Sequence, residues 1–85
     1  MSDLSRIDAR TWEDLRRALD DARRKHPPMH SPHEGWAVIH EELDELWEHV
    51  RSDTGRGILA RREALQVAAM GLRYALDLCD EETTR

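Results

Sequence analysis

Between residues 32 and 50 the apolar positions recur at helical intervals. Trp36, Ile39, Leu43, Leu46, Trp47 and Val50 share one face of a helix. Its start is marked by Ser31 as a cap, Pro32 at the first helical position and Glu34 placed to complete a capping box. The pattern predicts a helix over residues 32–51. Its other face is acidic: Glu34, Glu41, Glu42, Asp44, Glu45 and Glu48 occur with no Lys or Arg before Arg51. Like charges four residues apart cost about 0.2–0.5 kcal/mol per pair. A stripe of one sign therefore calls for cations from elsewhere, either Arg from neighbouring helices or bound metal.

A first helix is expected over residues 11–25, with Trp12, Leu15, Leu19 and Ala22 as its buried stripe. Thr11 is the expected cap, with Asp14 three residues on. Leu4 and Ile7 extend the period backwards, which allows a start as early as residue 3. Arg23, Arg24 and Lys25 suit the negative end of the helix dipole, and Pro27 and Pro28 stop the helix. A third helix is expected over residues 58–80. Ala64, Ala68, Gly71 and Ala75 form a line of small residues that admits another helix at close range, flanked by leucines. A second line holds Glu63, Gln66, Met70, Arg73 and Asp77, which an amphipathic helix turns to solvent. In the turn SDTGRG, residues 52–57, Gly55 and Gly57 are the positions free to take positive φ. There is no strand pattern and no internal repeat. The chain reads as all-α, a single domain over residues 1–85 with three bundled helices.

Composition then limits what such a domain can be. An 85-residue chain has a thin core, and domains of this size add a disulfide, a metal or a partner subunit. Cys79 is the lone cysteine, so no internal disulfide forms, and a free thiol fits a reducing, cytoplasmic setting. The small-residue line and the wide apolar stripe with two tryptophans exceed what three helices can cover. A four-helix core completed by homo-oligomerisation, as a homodimer or homotetramer, is expected. Trp36, Trp47 and Tyr74 are able to stack a base but are expected in the core. No apolar run reaches the roughly 20 residues that span a bilayer. A net charge of −5 argues against a nucleic-acid surface. It leaves open phosphate ligands bound through divalent cations. His26, His30 and His33 crowd one proline-rich loop, which is expected to be a stiff connection without zinc. Arg56 is either a phosphate contact or a solvated loop residue. The turn around it lacks the Lys of a Walker-type loop, GxxxxGK(S/T).

Two pieces of the pattern carry chemistry together. The second helix holds Glu41-Glu42-x-x-Glu45 and the third holds Glu63-x-x-Gln66. Packed antiparallel, the two helices can bring these carboxylates to one point, as carboxylate-bearing bundles do for divalent cations. EExxE followed by an ExxD-like element resembles the signature of the MazG-like, all-α nucleoside triphosphate pyrophosphohydrolases. HEELDEL and REALQVAAMGLRYALDL are similar to that group's short, single-module members over roughly residues 31–80. The resemblance implies that Glu41, Glu42, Glu45 and Glu63, with Gln66 beside them, bind Mg²⁺ or Mn²⁺. It implies that Glu42 and Glu45 serve catalysis, and that a nucleoside triphosphate or modified nucleotide is cleaved to monophosphate and pyrophosphate. Gln66 stands where the family has its last Asp. Its amide oxygen can coordinate but brings no charge. The alternative is a non-catalytic module of the same scaffold, acting through self-association or a protein partner. A third reading pairs the acids with Arg16, Arg17, Arg61 or Arg62 across the bundle.

Overall fold

The computed structural model describes residues 8–79. Three α-helices make up the described chain: α1 (Ala9–Lys25), α2 (Pro32–Arg51) and α3 (Ile58–Leu78). No strand occurs among the described residues, so the all-α, three-helix expectation holds. α3 is the centre of the fold. α1 and α2 pack on it from two sides and do not approach each other within 8 Å between Cα atoms.

Local chemistry sets the helix ends, in one case differently from the sequence expectation. α1 is capped by Asp8 and not by Thr11: the Thr11 N–H donates to Asp8 Oδ1 at 2.8 Å. Asp8, four residues before the apolar stripe, out-competes Thr11 as the cap, because the carboxylate is the stronger acceptor. The same bond holds the Asp8 carboxyl below its ordinary range. Residues 3–7, including the Leu4 and Ile7 extension, and Asp80 lie outside the described residues. α2 starts as expected, with the Glu34 N–H on Ser31 Oγ at 3.1 Å and Pro32 opening the helix. Glu34 returns its carboxylate to the His30 N–H at 3.2 Å, one residue before the cap.

The turn after α2 corrects another expectation. Neither Gly55 nor Gly57 takes positive φ; Asp53 does, at 59°. The Thr54 N–H reaches the His49 carbonyl at 2.8 Å and the Asp53 N–H reaches that of Val50 at 3.2 Å. This is the Schellman closure, with aspartate in the left-handed position usually given to glycine. Asp tolerates that region better than most residues.

The core is small. Ala22, Ala69 and Met70 are its buried centre, with Leu15, Leu19, Val38 and Ile39 packed around them half-exposed. No large side chain is fully buried among the described residues. The tightest helix approach is at Gly35 on α2. A Cβ there would lie 2.5 Å from Tyr74 Cδ2 and 3.0 Å from Leu78 Cδ1. Only the missing side chain lets α2 cross α3 this closely. Gly71, the glycine the pattern singled out, has nothing within 4 Å of where its Cβ would stand. The proline-rich loop is fastened to α3, because the Met29 N–H donates to Asp77 Oδ2 at 3.0 Å and Met29 itself is buried.

Several residues expected inside are outside in the single chain. Trp36 is 65 % exposed, Trp47 55 % and Trp12 55 %. Leu43, Val50, Leu72 and Leu76 are exposed as well. Conversely, the line from Glu63 to Asp77 does not face solvent: Met70 and Arg73 are buried, and Glu63, Gln66 and Asp77 are half-buried. The reason is topological. α1 and α2 flank that line, so it floors the space between them, while the small-residue line faces outward. No described helix is long and apolar enough to cross a membrane.

Candidate metal centre

The acidic face of α2 meets the floor of α3 at one point. Glu42, Glu45 and Glu63 each offer a carboxylate oxygen, and these oxygens lie within 4.8 Å of one another. Glu42 and Glu45 are one turn apart on α2, so both point to the same side. Glu63 comes from the second turn of α3, brought opposite by the antiparallel α2–α3 crossing that Gly35 permits. Glu41 is exposed and stands outside the 4.8 Å cluster. It shares with Glu42 and Gln66 the lining of an open groove of about 400 Å³ between the three helices.

The electrostatics of the cluster follow from its geometry. Partial burial pushes the Glu42 carboxyl up to about 7, helped by a hydrogen bond shared with Glu45 and by the charges of Glu45, Glu63 and Glu41. Glu63 is raised for the same reasons: burial first, then its hydrogen bond and repulsion with Glu45. His49 and Arg62 partly offset that rise. Two acids whose ionised forms are disfavoured by each other are stabilised by a cation in their midst.

Arginine does not fill that role. The ion pairs of the described residues are mostly local ones along a helix, such as Arg17 with Glu13, Arg24 with Asp21 and Arg51 with Glu48. The pair that crosses between helices joins Arg61 to Asp14 at 2.9 Å, with a second bond from Arg61 to Thr11 Oγ1 at 3.2 Å. Glu41, Glu42, Glu45 and Glu63 enter no ion pair within 4.0 Å among the described residues. Arg16 pairs with Asp20 instead, and Arg17 with Glu13. The reading in which arginines across the bundle neutralise these four acids is therefore corrected.

The donor set suits a hard cation. Carboxylate oxygens at this spacing match Mg²⁺ or Mn²⁺, which take oxygen ligands and retain water. The loop histidines His26, His30 and His33 are exposed and outside the cluster, and Arg56 is exposed in the turn. His49 was not singled out by the pattern. It lies one turn beyond Glu45, near enough to Glu63 to act on its charge, and its Nδ1 is 3.0 Å from Thr54 Oγ1. The i,i+4 spacing from Glu45 was the available signal. Arg73 was also read as part of a solvent face, yet it is 4 % exposed at the groove.

Comparison with known proteins adds no relative: no family model matches the chain, and neither a curated protein nor a solved structure does.

Proposed function

We propose that the chain is a divalent-cation-dependent pyrophosphohydrolase of nucleoside triphosphates, of the MazG-like kind that its motifs resemble. The observation that carries this reading is the convergence of Glu42, Glu45 and Glu63 from two helices, without an arginine partner, beside an open groove. Mg²⁺ or Mn²⁺ held by these residues supplies charge neutralisation for a polyphosphate and activation of water. The chain's own part is to hold the cation at fixed geometry and to accept a proton. Glu42 is the residue for that second task, because it is hydrogen-bonded to Glu45 and lines the groove in which a polyphosphate would lie. Glu41 and Gln66 line the groove next to Glu42 and complete the oxygen set. Gln66 adds an oxygen without a charge, which weakens the site relative to one with Asp there.

Assembly belongs to the same proposal. Trp36, Leu43, Trp47 and Val50 form an exposed apolar strip along α2, with Trp47 bordering Glu45 and Glu48, and the small-residue line of α3 is exposed as well. A second copy, paired about a two-fold axis through these faces, completes a four-helix core and covers them. A large exposed aromatic and aliphatic face also favours a second reading, a non-catalytic oligomerisation module in which Gln66 marks a degraded site.

Thermal unfolding with and without Mg²⁺ separates the two. A cation that binds the folded chain raises the melting temperature by mass action. The enzyme reading expects a rise that Glu42→Gln and Glu45→Gln abolish with helix content unchanged, and that Gln66→Asp enlarges. A wild-type melting temperature indifferent to Mg²⁺ and Mn²⁺ removes the enzyme reading and leaves the module.

A further inference from the structure

Arg73 is the one buried charged residue among the described side chains. Its guanidinium makes two contacts, from Nη2 to the Pro27 carbonyl at 3.1 Å and from Nη1 to Met70 Sδ at 3.4 Å. Neither partner is charged, and a thioether is a weak acceptor. Nε is buried with no protein acceptor at all. Asp77, one turn further along α3, accepts the Met29 N–H at Oδ2 instead. No carboxylate lies within 4.0 Å of Arg73 among the described residues. Buried charges are ordinarily paired, because taking an ion out of water is costly. A buried, unpaired guanidinium beside a groove is a fork without its anion, and the fork's geometry suits phosphoryl oxygens.

We propose that Arg73, with Lys25 at the rim, forms an oxyanion subsite in the α1–α2–α3 groove that receives the far end of a polyphosphate whose near end lies at the Glu42–Glu45–Glu63 cluster. This deepens the metal-centre reading and rests on it. Lys25 and Arg73 line the same groove as Glu41, Glu42 and Gln66. Gln66 and Arg73 are two turns apart on α3, about 10 Å along the axis. A polyphosphate chain covers that distance once side-chain reach is added, and a single phosphate does not. The groove also carries Glu34, Glu41 and Glu42, so it repels a bare anion. The cation must be present for the anion to enter, and the two bind cooperatively. Met70, flexible and held only by contact, is the side chain that yields the Nη1 donor to the incoming oxygen.

The test uses the whole chain and inorganic tripolyphosphate, with calorimetry for affinity and the Arg73 Nε–H resonance of the wild-type protein for contact. With Mg²⁺ and tripolyphosphate together, that resonance moves downfield and its exchange with water slows; with Mg²⁺ alone it stays. Arg73→Met loses about 10-fold or more in tripolyphosphate affinity, as expected for a charge-assisted fork. Lys25→Gln, at an exposed position that leaves the fold alone, loses about 3-fold at low salt and less at high salt. Both bind Mg²⁺ alone like the wild type. If Arg73→Met does not fold, the wild-type resonance and Lys25→Gln decide. Mg²⁺ binding with no tripolyphosphate binding, or with a resonance that does not move, overturns the subsite and leaves the metal centre. Tripolyphosphate that shifts the resonance equally without any cation overturns the proposal, because the anion then enters without the cation that the groove's acids require. Silence in both titrations overturns both.

Discussion

At the scale of single residues, the proposed chemistry rests on carboxylates whose ionised forms disfavour one another. Glu42 has its carboxyl raised from 4.5 to about 7, chiefly by burial and then by Glu45. The folded chain therefore keeps a proton that the unfolded chain gives up. Without metal, the site's contribution to stability is present at low pH, falls as pH rises from 4.5 through about 7, and levels off above. A cation reverses the sign, since it binds the ionised form and displaces that proton. The Mg²⁺-induced rise in melting temperature is predicted to be larger at about pH 8 than at about pH 6, as differential scanning fluorimetry in matched buffers can measure. A rise equal at both, or larger in acid, contradicts the assignment of Glu42. Glu42 and Glu45 were legible as a pair because i,i+3 spacing puts them on one helix face, whereas Glu41, one position earlier, falls outside the cluster. Gln66 was legible as a departure. Arg73 was not. It is buried with the loop carbonyl of Pro27 bonded to it, and helical periodicity carries no information on which other segments will flank a face.

At the scale of the helices, the elements were more legible in the sequence than their contacts. The apolar period and the Ser31–Pro32 start placed α2, and Pro27 with Pro28 ended α1 where the structure does. The close helix crossing was misplaced. Small residues in a line drew attention to Gly71, whereas the crossing that closes the chain passes over Gly35, a lone glycine in the first turn of α2. Gly35→Ala is predicted to cost about 1–3 kcal/mol, since the new methyl meets the Tyr74 ring and overpacking of this kind strains a core. Urea unfolding measures it. Gly71→Leu separates the two kinds of contact: within one chain there is room for it. If the small-residue line is an intermolecular contact, that variant weakens assembly while the helix content of each chain is retained. Unchanged assembly places the contact elsewhere. The turn after α2 was likewise legible in its length and composition but not in its geometry, because Asp53 takes the left-handed position beside two glycines able to do so.

At the scale of the whole molecule, the buried apolar residues among those described are alanines and methionines, while the tryptophans and half of the Val, Ile and Leu side chains of α2 and α3 are exposed. Such a chain gains little from hydrophobic burial by itself, and burial by a second copy is the stabilisation we propose for it. Light scattering at micromolar concentration is predicted to give a multiple of the 9.9 kDa monomer mass. Trp47→Glu places an unpaired charge in the contact and is predicted to shift the protein to monomer with a lower melting temperature. A cooperatively folded wild-type monomer contradicts the assembly. The candidate cation cluster is tested by cation binding and the apolar face by mass, so each proposal has its own readout although Trp47 borders Glu45. The central claim is the reaction, and product analysis tests it most directly. The chain is incubated with a panel of canonical and modified nucleoside triphosphates and Mg²⁺ or Mn²⁺, and pyrophosphate and monophosphate are quantified together. The account predicts equimolar release of both from at least one triphosphate, dependent on the cation and lost in Glu45→Gln. Absence of pyrophosphate across the panel, or release of orthophosphate and diphosphate in its place, contradicts it.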